Sequence, residues 1–357
     1  MMIDNLLAPF QAGLALSTDK HGHEYVVAVV KGTFDVGPDG RCTPAAEQRP
    51  LVRADLFHGE PGLSSERWES DFALRKPRAD VLVLGHAWAP GGKPTESLLV
   101  GLKLGSVRKV LQVFGDRVWE RGWTGGLRPS SPRPFLKVPL LYERAFGGAD
   151  RTHSEARRHV YEEANLVGVG LHARGHEGIR DTPLPNLEDP EQLISRPTDR
   201  PRPRGLGFIG RNWMPRRTYA GTYDQDWRDS RYPFLPLDFD DRYFQGAPED
   251  QTCAHLEGGE QVVLTGMTPE GRWQFTLPVR SVPVTLHYHT GPRTFPGRLD
   301  TLVLLPDEKR CVLVWRATAR LEGKPTHLRE VQVGTTPGRE RAARTGKRYI
   351  RWGRGAA

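Results

Sequence analysis

Two pairs of histidines have a spacing that could hold a metal ion. His287 and His289 lie two residues apart in a predicted strand, so their side chains would share one face of a sheet. His21 and His23 repeat this spacing. A four-ligand site would require the two pairs to meet, and nothing in the sequence brings them together. Because histidines on a polar strand face are usually solvated, we predict no metal and no other cofactor.

Residues 205–210 spell the pattern Gly-x-Gly-x-x-Gly, which in nucleotide-binding folds lets a pyrophosphate approach a helix N-terminus. The surroundings do not fit such a site. The pattern follows Pro201-Arg202-Pro203-Arg204 instead of a buried strand, and Pro215 opposes a long helix after it. We therefore interpret the segment as a glycine-rich turn.

Carboxylates are abundant, and glycosidases need two of them beside the scissile bond. The candidates are Glu60, Glu66, Glu69, Asp71, Asp224, Asp226, Asp238, Asp240 and Asp241. Nearby arginines can pair with most of them, and no nucleophile elbow, zinc-protease helix or phosphate-binding loop is present. The sequence predicts no catalytic residues and a protein that is not an enzyme. The alternative is a carbohydrate-acting or metal-assisted hydrolase that uses Asp/Glu together with His287 and His289.

The positive charge is concentrated at the C-terminal end. The formal net charge is +8, and residues 339–354 contain seven basic side chains against one acid, Glu340, leaving about +2 for the 338 residues before them. Mixed charges of this kind are typical of an ordinary protein surface. We expect no specific nucleic-acid binding, and we interpret residues 339–357 as a basic flexible tail. A nucleic-acid or membrane-surface arm is the alternative for this tail.

Length and composition favour a β-rich protein with many turns. The chain has 357 residues, and Gly 39 and Pro 30 make up about a fifth of it. No apolar run is long enough to cross a membrane, and the first ten residues do not read as a signal peptide. Cys42, Cys253 and Cys311 are far apart in sequence and suggest neither a disulfide framework nor a zinc site. These features predict a cytoplasmic protein without membrane insertion.

Short apolar runs separated by turn residues predict about a dozen strands. The runs cover residues 25–30, 81–84, 98–104, 107–114, 261–267, 273–277, 282–288, 302–305, 311–315 and 328–333. Helices are predicted only at residues 154–164, with Ser154 as the cap, and after Asp189-Pro190. The expected fold is mainly β, a sandwich-like or multi-sheet antiparallel body. We predict one domain over residues 1–338, or two packed subdomains, about 1–165 and 255–338, with 166–254 as an irregular layer.

The middle of the chain, about residues 174–248, is rich in proline, arginine and aromatic residues. A disordered linker would contain few aromatics, so we expect an ordered irregular segment that lies over the sheets. Trp, Tyr and Arg often anchor protein interfaces, although internal packing is the alternative for each one. The predicted partner-binding residues are Trp213, Tyr219, Tyr223, Trp227, Arg211 and Arg216.

Taken in order, several strings resemble a family of bacterial domains of unknown function whose genes lie in type VI secretion clusters. They include Lys31-Gly32-Thr33-Phe34-Asp35, Lys76-Pro77-Arg78-Ala79-Asp80, Gly85-His86-Ala87, Tyr142-Glu143-Arg144-Ala145-Phe146-Gly147-Gly148, Leu184-Pro185-Asn186-Leu187-Glu188-Asp189-Pro190, Gly210-Arg211-Asn212-Trp213, Ala220-Gly221-Thr222-Tyr223-Asp224 and Asp238-Phe239-Asp240. The turn Asn165-Leu166-Val167-Gly168-Val169-Gly170 departs from the Asn-Pro-Val-Gly-Arg-Gly type expected there.

The resemblance implies a cytoplasmic adaptor or chaperone that binds a cognate effector and aids its loading onto the secretion spike or its PAAR-repeat tip. It assigns no catalytic residues. The expected partner is therefore a protein, a secreted effector and also a spike or tip protein. The sequence leaves the oligomeric state open.

Overall fold

The computed structural model describes residues 2–123, 125–173 and 178–335. In chain order its strands are β1 Met2–Asn5, β2 Gln11–Thr18, β3 Glu24–Val36, β4 Cys42–Pro44, β5 Leu56–Phe57, β6 Glu66–Trp68, β7 Ala79–Val83, β8 His86–Trp88, β9 Ser97–Leu104, β10 Val107–Phe114, β11 Trp119–Arg121, β12 Leu127–Pro129, β13 Lys137–Pro139, β14 Phe146–Gly147, β15 Ala149–Asp150, β16 Val160–Tyr161, β17 Val169–Gly170, β18 Leu187–Glu188, β19 Thr252–Cys253, β20 Gln261–Thr265, β21 Arg272–Thr276, β22 Pro283–Tyr288, β23 Gly291–Pro296, β24 Arg298–Leu305, β25 Arg310–Arg320 and β26 Leu328–Val333.

Helical structure in the described residues is limited to short elements. One α-helix, α1, spans Gln225–Ser230. Single 3₁₀ turns occupy Pro90–Gly92, Tyr142–Arg144, Ala156–Arg158, Arg216–Ala220, Asp241–Phe244, Glu249–Gln251, Pro306–Glu308 and Pro325–His327. The prediction of a mainly β protein with several antiparallel sheets and few short helices is confirmed.

Three sheets contain the longer strands. The largest has seven strands in the order β19-β7-β24-β25-β3-β2, with β4 beside β3, and β7 and β24 are its parallel pair. A five-stranded sheet has the order β18-β10-β9-β20-β21, and a four-stranded sheet the order β1-β26-β22-β23. One cluster of buried apolar side chains contains members of all three sheets, for example Val30, Leu102 and Leu286. The three sheets therefore share a hydrophobic core.

The long central strands form where the sequence is richest in β-branched residues. β3 pairs with β25 over eleven residue pairs, from Tyr25–Arg320 to Asp35–Arg310. Val26, Ala28 and Val30 face the shared core, whereas Val27 and Val29 face the opposite side of the sheet and are buried as well. A strand that is buried on both faces reads as a nearly continuous apolar run, which is the pattern of this segment.

Irregular chain covers the second face of the seven-stranded sheet. Trp68, Leu82, Phe208, Ala247, Val303 and Val312 form one buried cluster there. Strand residues on this face include charged and polar groups, among them Lys31 and Arg316, which are almost completely buried. Lys31 Nζ lies 2.9 Å from Asp71 Oδ2, and Arg316 donates to the carbonyl oxygens of Asp71 and Ala73. Buried ion pairs and hydrogen bonds thus attach the covering chain to the sheet.

Asp80 of β7 is the main attachment for the end of the middle segment. Its carboxylate has no exposed surface and accepts from Lys76 Nζ at 2.6 Å, from Gln245 Nε2 at 2.6 Å and from Gly246 N at 2.9 Å. Gln251 continues the attachment by donating to the carbonyl oxygens of Val81 and Leu206. These contacts satisfy the polar groups that the covering chain brings into the interior.

Two local predictions were wrong. Residues 154–164 form the 3₁₀ turn Ala156–Arg158 and strand β16 instead of an α-helix, and a turn follows Asp189. The Asp189 carboxylate pairs with Arg204 and accepts from the backbone of Glu191, so its local hydrogen bonds favour a turn. Helix α1 was missed, although Asp224 caps it by accepting from Trp227 N at 2.8 Å. The predicted tail, residues 339–357, lies outside the described residues.

Replacing the Asp80 carboxylate tests its role in the fold. Asp80→Asn leaves the buried ammonium of Lys76 without its counter-ion, and we expect a loss of about 3 kcal/mol in the free energy of unfolding. Urea denaturation followed by tryptophan fluorescence measures it. Asp39→Asn is the control, because the Asp39–Arg41 pair is exposed and 3.9 Å apart, and it should change stability by less than about 0.5 kcal/mol. A loss below about 1 kcal/mol for Asp80→Asn would contradict this role.

Candidate functional site

The six predicted partner-binding residues lie in different environments of the middle segment. Trp213 is only 3% exposed and packs edge-on against Tyr142, with ring centroids 5.2 Å apart. Gly210 leaves space for its ring, because a Cβ atom there would come within 2.7 Å of the indole nitrogen. Trp213 is therefore packed in the core of the folded protein, and its contact with a partner stays a prediction.

Arg211 and Arg216 belong to a buried ion cluster with Asp55, Glu66 and Glu69. Arg216 is 1% exposed; its Nη1 donates to Glu69 Oε1 and to the carbonyl oxygen of Ile209. Arg211 Nε donates to Asp55 Oδ2 at 2.6 Å, and its Nη2 lies 3.8 Å from Glu69 Oε2. These arginines fix the middle segment to the chain around β5 and β6. Arg216 is thus buried within the protein, and its role in binding a partner stays a prediction.

Glu66 is the member of this cluster whose carboxylate is least satisfied by hydrogen bonds. It is almost fully buried, Oε1 accepts from Arg211 N at 3.3 Å, and Oε2 has no hydrogen-bond partner among the described residues. Burial and the neighbouring Glu69 carboxylate raise the pKa of Glu66 to about 7. The carboxyl is therefore close to half-protonated at neutral pH.

Tyr223 and Trp227 lie at the surface with other apolar side chains. Tyr223 is 51% exposed and Tyr232 70%, and Phe234 and Leu237 are exposed as well. Trp227 connects them, because its ring centroid is 4.7 Å from that of Tyr223 and 5.9 Å from that of Tyr232 in edge-on geometry. We call these five side chains, Tyr223, Trp227, Tyr232, Phe234 and Leu237, the aromatic patch.

Hydrogen bonds hold the aromatic patch in place. Trp227 donates from Nε1 to the carbonyl oxygen of Phe234 at 2.9 Å. Arg231 donates to the carbonyl oxygen of Lys20, and Lys20 in turn donates from Nζ to the carbonyl oxygen of Phe239 at 3.0 Å. The patch is therefore tied to the turn between β2 and β3. Tyr219, the remaining predicted residue, is half-buried beneath the guanidinium of Arg242, 4.2 Å from its ring centroid.

The glycine pattern at residues 205–210 forms no helix N-terminus. Leu206 O accepts from Val83 N at 2.9 Å, Ile209 N donates to Gly246 O at 2.9 Å, and the chain bends at Leu206 and Gly207. A Cβ atom at Gly205 would come within 2.6 Å of the Tyr142 ring. Gly205 and Gly210 make room for the rings of Tyr142 and Trp213, which explains these two glycines without a nucleotide.

The histidine pairs have other neighbours. His287 Nε2 lies 3.3 Å from Gln332 Oε1, and Arg329 Nε lies 3.0 Å from His289 Nδ1. His23 Nδ1 lies 3.2 Å from Asp19 Oδ2, with the His21 ring 6.1 Å away. Over the described ranges, no three His, Cys, Asp or Glu side chains come together in a way that could hold a metal ion.

The acids singled out in the sequence are mostly paired, in part with bases other than the expected ones. Arg242 pairs with Asp240, as expected from their proximity in sequence, whereas Arg75 pairs with Asp241, which is far from it in sequence. Asp71 instead pairs with Lys31, and Glu69 with Arg216. Asp224 and Asp238 are used locally: the first caps α1 and the second accepts from Thr222.

A family model described as an uncharacterized protein conserved in bacteria (DUF2169) matches residues 21–316. The chain belongs to this family. The match begins in the turn between β2 and β3 and ends within β25, so it contains the Asp80 contacts, the buried ion cluster and the aromatic patch. The expectation of a bacterial family of unknown function is confirmed, and its link to type VI secretion stays a prediction. No curated protein and no solved structure matches the chain.

Two further observations bear on the DUF2169 chain. In the part of it that the structure describes, no helix is both long and apolar enough to span a membrane.

The turn that departs from the expected pattern, residues 165–170, is tightly packed. Asn165 is completely buried and donates from Nδ2 to the carbonyl oxygens of Tyr142 and Phe146, both at 2.9 Å. This turn holds β14 beside β17.

The raised pKa of Glu66 predicts a pH-dependent effect of Glu66→Gln. Unfolding lets the carboxyl ionise at its ordinary pKa of 4.5, so wild-type stability falls as pH rises from about 4.5 to about 7 and then levels off. The glutamine variant lacks this loss. Its stability relative to wild type should therefore be higher at pH 8 than at pH 5 by about 2 kcal/mol.

Thermal unfolding at both pH values measures the difference. Glu60→Gln is the control, because Glu60 is an exposed carboxylate of the same region, and its effect should not change with pH. Equal effects of Glu66→Gln at pH 5 and pH 8 would show that the pKa of Glu66 is not raised.

Proposed function

We propose that the protein is a type VI secretion adaptor, or chaperone, which binds a cognate effector in the cytoplasm and aids its loading onto the spike or its PAAR tip. In this proposal it is a protein-binding module and not an enzyme. The resemblance noted in the sequence supplies the secretion context. The aromatic patch is the structural observation that supports protein binding.

The composition of the patch suits a protein interface. Tyr and Trp are the residues that most often dominate binding energy, because each buries a large apolar area at a small entropic cost. Clustered exposed aromatics are also uncommon on monomers unless they serve an interaction. Trp227 contacts Tyr223 and Tyr232 edge to edge, and all three side chains remain exposed or half-exposed.

The patch is also preorganised. Asp224 caps α1, Trp227 is hydrogen-bonded to Phe234, and Arg231 is hydrogen-bonded to Lys20. A side chain that is already held loses less conformational entropy when a partner binds. This geometry favours a docking surface over loosely exposed residues of an irregular loop.

The double variant Tyr223→Ala/Tyr232→Ala tests the proposal. Both side chains are well exposed, so the fold and melting temperature should be retained, while binding should weaken by a factor of ten or more. The measurement is affinity purification of the tagged protein from the bacterium that encodes it, with mass-spectrometric quantification of co-purifying effector, spike and tip proteins.

Tyr161→Ala is the matched control, because Tyr161 on β16 is 46% exposed and is not part of the patch. It should leave recovery of the effector unchanged. Wild-type protein that recovers no secretion protein, or a deletion strain that secretes all its effectors normally, would contradict the proposed function. Unchanged recovery with the double variant would exclude the aromatic patch as the docking surface.

A further inference from the structure

A cleft of about 590 Å³ opens between the middle segment and the strands it covers. One wall comes from the body: Arg78 directly before β7, Lys109 of β10, and Tyr142. The other wall comes from the middle segment, including Arg202, Arg216 and Tyr219. The cleft is a feature separate from the aromatic patch, since none of the five patch residues lines it.

The charged side chains that line the cleft are predominantly cationic. Six of them are Arg or Lys, namely Arg78, Lys109, Arg202, Arg204, Arg216 and Arg242, whereas two are carboxylates, Glu249 and Asp250. Positive groups in a partly enclosed, low-dielectric space attract an anion more strongly than the same groups on an open surface. The lining therefore favours an anionic ligand.

Some of these cations are already neutralised within the protein. Lys109 Nζ lies 2.9 Å from Asp250 Oδ1, Arg204 pairs with Asp189 and Asp250, and Arg242 pairs with Asp240. These three are structural contacts that shape the walls of the cleft.

Arg78 and Arg202 have no carboxylate partner in the described residues, and Arg216, although paired with Glu69 through Nη1, keeps one donor without a partner. Among the described residues, the Arg78 guanidinium donates only to Thr252, a neutral residue, at 2.9 Å to Oγ1 and 3.0 Å to the carbonyl oxygen. Arg202 is exposed and has no ion pair within the described ranges. Arg216 is 99% buried, and its Nη2 nitrogen has no hydrogen-bond partner in the described part of the chain. A buried guanidinium nitrogen without an acceptor is costly unless a ligand supplies one.

The remaining lining selects among anions. Ile209, Met214 and the Tyr219 ring give the cleft an apolar side next to the arginines. Glu249 and Asp250 would repel a doubly charged phosphate more than a singly charged carboxylate. Guanidinium groups match the planar carboxylate through paired N–H donors.

We propose that this cleft binds a carboxylate of the partner protein, on an Asp or Glu side chain or at its C-terminus, together with an adjacent apolar side chain. Arg78, Arg202 and Arg216 bind the carboxylate, and Ile209, Met214 and Tyr219 contact the apolar group. The inference rests on the proposed function for the identity of the partner, and on the cleft alone for the chemistry of the ligand.

Small probes test the chemistry without the partner. N-acetylphenylalanine presents a carboxylate beside an apolar group, N-acetylphenylalaninamide lacks the charge, and adenosine monophosphate presents a phosphate. Titrations by saturation-transfer NMR should show the carboxylate probe binding at least about tenfold more tightly than the amide. Equal affinity for the two, or tighter binding of the nucleotide, would overturn the proposal.

The variant Arg78→Met/Arg202→Met removes the two cations that have no carboxylate partner among the described residues. It should lower the affinity for the carboxylate probe at least about tenfold. The charge-matched control is Arg121→Met/Arg280→Met, two exposed arginines that do not line the cleft. It should leave the affinity unchanged. An equal loss of affinity in both variants would show that the effect comes from net charge alone, and it would overturn the proposed site.

Co-purification of the effector separates this inference from the proposed function. Reduced recovery with the Arg78/Arg202 variant, but not with the control, supports partner recognition by the cleft. Unchanged recovery while the patch variant loses the effector overturns the cleft's role and leaves the adaptor function intact. If wild-type protein recovers no secretion protein yet binds the carboxylate probe, the adaptor function fails and the carboxylate site stands.

Discussion

The carboxylate of Asp80 lies on the second face of the seven-stranded sheet, and the cover of that face depends on it. A sheet with two buried faces needs apolar or polar partners on both. Here one face meets the other sheets, whereas irregular chain covers the second. Irregular chain cannot satisfy its own backbone, so it must bring polar groups to the sheet. Asp80 accepts from the side chain of Gln245 and the backbone of Gly246, and it neutralises Lys76.

This arrangement divides the arginines of the middle segment by their role. Arg211 and Arg216 pair with the carboxylates of Asp55 and Glu69 around β5 and β6, and these pairs attach the middle segment there. Breaking a buried pair is costly because one charge is left without compensation, so such residues serve the fold before they serve a ligand. Arg202 has no such pair in the residues that the structure describes. The buried pairs give an irregular segment a fixed shape, and a fixed shape is what lets exposed aromatics and free guanidinium groups be presented in one geometry.

Two surfaces with different chemistry result from the same segment. The aromatic patch is apolar and lies beside the turn between β2 and β3, while the cleft is cationic and lies against β7 and β10. A partner that uses both would combine apolar anchors, which supply most of the affinity, with a carboxylate, which supplies orientation and specificity. Both surfaces fall within the 21–316 region that matches the bacterial family.

The sequence by itself determined the β-rich character, most of the long strands and the richness of the middle segment in aromatic residues. Strand patterns are local, because alternation and β-branched runs are read over a few residues, and β10 was predicted with its observed bounds. Only the tertiary structure decided which of the predicted binding residues are accessible. Arg216 meets Glu69 across 147 positions of sequence, and Trp213 meets Tyr142 across about half as many. Burial of this kind depends on which distant segments pack together, and no local pattern records that choice.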